Sequence, residues 1–292
     1  MTTFIIHGKD FEAPALESGL YVVATPIGNL GDITIRALQT LAACDVIACE
    51  DTRVTGKLLS RYAITTRRRP YHEHNADKEG LKLIALLREG QSVALVSDAG
   101  TPLISDPGQR LVAAALQEGM PVIAIPGASA PLTALSGSGL FAGRFTFAGF
   151  LPPKQGARQA TLSEFTQTHG TLIFFEGPSR LAATLKDMAA VFGEDHGACV
   201  ARELTKLHEE FRSAPLAQLA AHYREHPPKG EIVILVKPLV TSAQVDGETV
   251  LRELLETMNV SRAAAEAARL TGRPKRELYQ LALHVSGAKR GK

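Results

Sequence analysis

The chain has 292 residues, more than one hydrophobic core usually organises, so two α/β domains with a small appendage is the expected plan. Hydrophobic residues make up 45% and charged residues 21%, an ordinary balance for a globular protein, and no apolar run approaches the roughly 20 residues that span a bilayer, which argues against membrane insertion. The net charge of +2 carries no message about nucleic acid when averaged over the chain, so only its distribution is informative.

The first 18 residues hold one short apolar patch (4–6) between charges, without the apolar core of a secretory signal, and predict a loose leader on a cytoplasmic protein. Strand 20–24 then runs into Thr25-Pro26-Ile27-Gly28-Asn29-Leu30-Gly31-Asp32. A helix over 34–43 follows, with Ile35, Leu38, Leu41 and Ala42 at helical spacing, and strand 45–48 ends at Cys49-Glu50-Asp51-Thr52-Arg53. Helix 57–62, the basic run Arg67-Arg68-Arg69 and helix 77–88 lead to strand 92–96, which enters a second glycine- and proline-rich loop at 97–108. Helix 109–118 precedes strand 122–125 and a third such loop, Pro126-Gly127-Ala128-Ser129-Ala130, after which a closely packed helix over 131–140 is predicted.

The prolines and turn of 150–156 mark a domain boundary. The second α/β unit reads as helix 156–168, strand 171–175, helix 179–191, strand 198–202, helix 215–225 and strand 231–236. Residues 239–249 look like a linker, and helices at 250–258, 261–271 and 275–285 complete the chain. The plan is therefore a leader at 1–18, an α/β domain at 19–149, a second at 150–238, and a basic helical domain at 250–292.

Strands buried on both faces read as continuous Val/Ile/Leu runs, and an open parallel sheet binds its ligand beyond the carboxyl ends of its strands. Three glycine- and proline-rich loops after three such strands therefore predict a site at one sheet edge. Only Gly28 and Gly31 fall near a G-x-G-x-x-G frame, and no G-x-x-x-x-G-K-[ST] occurs, so dinucleotide and P-loop readings are weak. Cys44, Cys49 and Cys199 are odd in number and lack C-x-x-C spacing, which favours buried free thiols over disulfides or structural zinc. His72 and His74 flank Glu73 with no further ligands nearby, and read as a solvated or RNA-facing loop rather than a metal site.

ATPIGNLGDIT (24–34), ACEDTR (48–53), VSDAGTPLISDPG (96–108), IPGASA (125–130), FFEGPSRL (174–181), ARELTKLHEE (201–210) and KGEIVILV (229–236) together resemble the ribosomal small-subunit methyltransferase I family, a branch of the tetrapyrrole methylase fold. The resemblance runs in order over nearly the whole chain. It implies two α/β domains with a cofactor cleft between them, a small C-terminal helical domain, and S-adenosyl-L-methionine as cofactor. The implied reaction is 2′-O-methylation of a cytidine ribose in the decoding region of 16S ribosomal RNA, free or in the small ribosomal subunit, and the family resemblance also implies a homodimer. By position in the motifs, Pro26, Ile27, Asp98, Gly100, Thr101, Ser129 and Ala130 match cofactor-contacting places, with Phe175 and Gly230 adding contacts from the second domain. Asp98 also reads as a turn residue, and Ser129 as the N-cap of the following helix.

Transfer of a methyl group is an in-line displacement, and a carboxylate at the cleft is suited to take the hydroxyl proton. Glu50, Asp51 and Glu203, each just past a strand end, are the catalytic candidates. Arg53 and Arg202 suit phosphate oxygens, although Glu50 to Arg53 and Arg202-Glu203 also read as structural ion pairs across the domain interface. The basic bias of the last 43 residues suggests a helix-turn-helix-like module attracted to RNA, or a hairpin whose apolar face (Leu270, Leu278, Leu281, Leu283) docks on the body or a second subunit. Two further readings stay open: a methylase of a tetrapyrrole-like small molecule, and a non-catalytic nucleic-acid-binding protein with a vestigial cleft.

Overall fold

The computed structural model describes residues 2–105, 107–239, 247–271 and 273–289. The expected linker falls largely on 240–246, outside the described residues, as do residues 290–292 of the basic helical domain. The leader is not loose. Strands β1 (Thr2–Ile6) and β2 (Lys9–Ala13) form an antiparallel hairpin closed by His7 and Gly8, both at positive φ (49° and 75°), the geometry of a two-residue primed turn. Phe4 is fully buried and stacks on Phe11 with centroids 5.8 Å apart, and the Ile5 amide donates to the Tyr62 carbonyl at 2.9 Å. The short apolar patch around Phe4 is thus the buried part of a strand.

The first lobe is a five-stranded parallel sheet of order β5-β4-β6-β3-β7, formed by β3 (Gly19–Val23), β4 (Val46–Cys49), β5 (Arg68–Pro70), β6 (Ser92–Val96) and β7 (Val122–Ile125). Its connections are α1 (Ile35–Ala43), α2 (Thr52–Arg61), α3 (Ala76–Arg88) and α4 (Gln109–Gln117), with α5 (Ala130–Gly137) after β7. Helix α1 starts where the Thr34 hydroxyl accepts the Ala37 amide at 3.1 Å. Every residue of β4 and β6 is buried, as expected of strands covered on both faces. Because β6, β3 and β7 are neighbours, the three glycine- and proline-rich loops emerge side by side.

The second sheet has order β11-β10-β12-β9-β8 and begins at β8 (Phe145–Phe150), ahead of the boundary expected at residue 150. β8 and β9 (Thr171–Glu176) are parallel, whereas β10 (Gly197–Arg202), β11 (Glu210–Pro215) and β12 (Ile232–Val236) pair antiparallel. Helices α6 (Gln155–Glu164), α7 (Leu181–Phe192) and α8 (Leu216–Glu225) cover it. β8 and β11 escape a pattern reading because FTFAGF and EFRSAP are short, partly exposed edge strands without an apolar run. Helices α9 (Gly247–Thr257), α10 (Val260–Thr271) and α11 (Lys275–Lys289) share a core of Leu251, Ala263, Ala264, Ala267, Leu278 and Ala282. Leu281 packs against that core, while Leu283 is exposed.

The two sheets are joined by an apolar seam in which Ile27, Ala134 and Leu135 of the first lobe meet Ile173, Cys199, Leu204, Val233 and Leu235 of the second. Full burial of one aliphatic side chain contributes about 1.5–3 kcal/mol, so this seam fixes the two lobes against each other. The three cysteines are buried free thiols, and desolvation pushes Cys44 up to about 12.

Candidate cofactor and substrate cleft

Above this seam the lobes enclose a cleft of ≈ 340 Å³, within the range of about 300–1,000 Å³ typical of ligand sites. The β3 loop contributes Ile27, the β6 loop Ala99, Gly100, Thr101, Ile104 and Ser105, and the β7 loop with α5 Ser129, Ala130 and Pro131. The opposing wall is Phe150, Phe175, Glu176, Gly177 and Pro178, with Leu204 and Gly230 to Val233 closing one end. Seven of the nine sequence-derived cofactor residues therefore stand around one cavity: Ile27, Gly100, Thr101, Ser129, Ala130, Phe175 and Gly230.

The loops are cross-tied through their main chains. Thr25 and Gly100 exchange amide-to-carbonyl hydrogen bonds at 2.8 and 3.0 Å, and Thr101 Oγ1 donates to the Ala128 carbonyl at 3.2 Å. Gly100 has φ +78°, and a Cβ there would lie 3.3 Å from Ile27 Cγ2. Gly127 lets its loop lie against Ala24, where a Cβ would come within 2.9 Å of that side chain. Leu103 and Ser105 also hold positive φ (73° and 66°), so the β6 loop carries strain beside the cavity. A wall of tied main chain around a largely apolar hollow fits a ligand with an adenine face and a few polar atoms.

Pro26 and Asp98 do not line the cavity. Pro26 presets the chain between the bridged Thr25 and the lining Ile27, and Asp98 Oδ1 accepts the Asp51 amide at 3.0 Å, tying the β6 loop to the end of β4. Ser129 occupies the N-cap position of α5, yet its side chain makes no cap hydrogen bond and the residue lines the cleft.

None of the three candidate carboxylates lines the cavity either. Glu50 stands half-buried at the carboxyl end of β4. Asp51 is the N-cap of α2: it accepts the Arg53 amide at 2.7 Å and the Arg53 guanidinium at 2.6 Å, and these bonds hold its carboxyl well below the usual range. Glu203 accepts from Lys206 Nζ at 2.8 Å and from the Glu231 amide at 3.0 Å, and these two donors lower it as well. Its role in the structure is to fasten the 203–209 loop to the 229–231 turn, where a Cβ on Gly230 would overlap its carboxylate. The arginine pairs expected across the domain interface are local instead. Arg53 binds Asp51, and Arg202 binds Glu210 at 3.1 Å between adjacent strands. The inter-lobe contact at this point is made by Lys206, whose Cγ would lie 2.6 Å from a Cβ on Gly28.

The sequence reading missed the Glu176-Gly177-Pro178 wall. Glu176 is buried and accepts from the Gly177 amide (2.7 Å), Thr184 Oγ1 (2.5 Å) and Arg180 Nη2 (3.2 Å), which makes it the anchor of that turn. The signal was present, since an apolar strand running into Gly-Pro is the pattern that marked the first lobe. Phe150 joins the site only through tertiary approach, whereas Ser105 belongs to the β6 loop already expected there.

The fold is that of the tetrapyrrole methylases. Residues 19–220 match the family of Tetrapyrrole (Corrin/Porphyrin) Methylases, and 241–285 match the RsmI C-terminal HTH domain. Among solved structures, diphthine synthase superposes with TM-score 0.59 at 15% identity, covering 75% of this chain and 89% of that one. Uroporphyrin-III C-methyltransferase of Thermus thermophilus, complexed with S-adenosyl homocysteine, superposes with TM-score 0.54 at 20% identity, covering 74% of this chain and 96% of that one. Ribosomal RNA small subunit methyltransferase I of Mesorhizobium japonicum is 53% identical over 284 residues, spanning 96% of this chain and 97% of its own length. The protein of the same name from Escherichia coli O157:H7 is 44% identical over 273 residues, 92% of this chain and 96% of its own. The chain belongs to the ribosomal RNA small subunit methyltransferase I family.

Proposed function

We propose that the protein methylates the 2′-hydroxyl of a cytidine ribose in the decoding region of 16S ribosomal RNA. It is a methyltransferase, and its cofactor is S-adenosyl-L-methionine. The observation that supports the reading most is the inter-lobe cleft, whose wall brings together seven of the nine residues at cofactor-contacting motif positions. When bound, the cofactor supplies an electrophilic methyl group on a positively charged sulfur. The chain's task is then to fix geometry and remove a proton. The tied loops at Thr25, Gly100 and Ala128 position the cofactor, and holding two reactants in line is worth about 7–11 kcal/mol of barrier. A homodimer and a cytoplasmic location belong to the same reading; among the described residues no helix is long and apolar enough to cross a membrane.

The proton acceptor we propose is Glu50, at the carboxyl end of β4 and one residue from the Asp51 amide that Asp98 fixes. Asp51 and Glu203, held in their charged form by fixed donors, act through position. Glu50→Gln is expected to lower single-turnover methyl transfer by about 10²–10⁴-fold, with the cofactor dissociation constant unchanged. An unaltered rate removes Glu50 from the chemistry. The function itself is tested by nucleoside mass spectrometry of small-subunit RNA from cells with and without the gene. Loss of one 2′-O-methylcytidine, restored by the purified protein, is the expected result; an unchanged nucleoside profile overturns it.

A further inference from the structure

The first lobe carries a second concavity. Thr52, Arg53, Thr65, Thr66, Arg67 and Arg68 line a hollow of ≈ 500 Å³ where the start of α2 meets the start of β5. Strand alternation sends neighbouring arginines of β5 to opposite faces. Arg69 reaches Glu79 of α3 at 2.5 Å, whereas Arg68 lies over α2 and donates from Nη1 to the Thr52 carbonyl at 2.8 Å. Its seat is Gly56, inside α2, where a Cβ would overlap Arg68 Nη1. Glycine inside a ten-residue helix is ordinarily disfavoured, and here it makes room for a guanidinium.

Helical spacing adds to the patch. Arg53, Lys57 and Arg61 recur every four residues on the exposed face of α2, beside the exposed Arg67 and Arg68. The patch adjoins the cleft through a short chain of contacts. Arg53 is held by Asp51, the Asp51 amide is held by Asp98, and the residue after Asp98, Ala99, lines the cavity.

We propose that this hollow and the α2 face bind the phosphodiester backbone of the single-stranded RNA segment that leads into the cleft. The proposal rests on the reading of the substrate as RNA and adds where its backbone runs. Guanidinium groups pair with phosphate oxygens in two-point contacts, and threonine hydroxyls donate to the same oxygens. Such contacts position a strand without reading its sequence, as required on the approach to one target nucleotide.

The test uses the full chain and a fluorescently labelled single-stranded fragment of small-subunit RNA, titrated between about 50 and 200 mM salt. In the variant Lys57→Ala/Arg67→Ala/Arg68→Ala, affinity at the low-salt end is expected to fall at least about tenfold, and the slope of log K against log salt by about 2, at roughly 0.7 per phosphate lost. Gly56→Gln leaves every charge in place but unseats Arg68, and is expected to lower the slope by about 0.7, which separates a built site from diffuse charge. Calorimetric binding of S-adenosyl-L-methionine, unchanged in both variants, reports that the fold is intact. Wild-type slope and affinity in both variants overturn the proposal. Competition by polyglutamate as strong as that by RNA also overturns it, and marks an acidic protein surface as the partner instead. Failure of the wild-type chain to bind RNA at any salt overturns the substrate reading, and this site with it.

Discussion

Gly100→Val is expected to weaken S-adenosyl-L-methionine binding by about 10- to 100-fold, a direct test of the geometry of the cleft. Two physical causes act together. Gly100 sits at φ +78°, where a side-chain-bearing residue costs roughly 1–2 kcal/mol and a β-branched one more. The new methyl groups would also start from a Cβ 3.3 Å from Ile27 Cγ2 and 3.8 Å from the Ala128 carbonyl, in a residue that lines the cavity. Relief of either contact disturbs the reciprocal Thr25–Gly100 hydrogen bonds that join the β3 and β6 loops. Calorimetric titration of wild type, Gly100→Ala and Gly100→Val should show a graded loss, with Ala intermediate. Equal affinities in all three place the cofactor elsewhere, and with it the account of the tied loops fails.

The largest loss of stability is expected from Asp187→Ala, about 3–5 kcal/mol, because it strands a buried charge. Asp187 on α7 is 1% exposed and Arg158 on α6 is 5% exposed. Arg158 Nε donates to Asp187 Oδ2 at 2.7 Å, and Gln155 and Gln159 donate to Oδ1 at 3.1 and 2.8 Å. Burial alone raises this carboxyl, but the two amides and the guanidinium outweigh it, and the group is held below its ordinary value. A depressed folded-state pKa contributes stability above the unfolded value, near 3.9, that is lost as the pH falls through the folded one. Urea denaturation should therefore show a wild-type stability that declines below about pH 4, with a smaller decline in Asp187→Ala. Replacing both partners by apolar residues of similar volume should recover much of the loss. A midpoint in Asp187→Ala within error of wild type contradicts this account of the α6–α7 contact.

Most of the first lobe was legible because four of its strands are apolar runs, with β3, β4 and β6 almost wholly buried. A continuous apolar run ended by glycine and proline needs no tertiary information to be recognised, and β3, β6 and β7 all read that way. The hairpin of β1 and β2 and the edge strands β8 and β11 were hidden because they are at most partly buried and carry no continuous apolar run. In the basic tail it was the pairing of charges that was hidden. Glu266 pairs with Arg269, Glu277 with Arg273 and Glu248 with Arg252, so part of its charge is neutralised locally, a pairing that composition does not reveal.

The site divides along the same line. The amino-acid order predicted that three loops lie at one sheet edge, since backbone approach demands glycine and preset turns, and the resemblance of their motifs to the family singled out Ile27, Gly100, Thr101, Ser129 and Ala130 within them. Only the tertiary structure decided that Phe150 and Glu176 face those loops, that Asp51 and Glu203 are committed to local donors, and that Arg68 rests on Gly56. Loop conformation is encoded within a few neighbouring residues, whereas the partner of a charge is whichever opposite charge the packing of two sheets brings within about 4 Å, and that is a property of the whole chain.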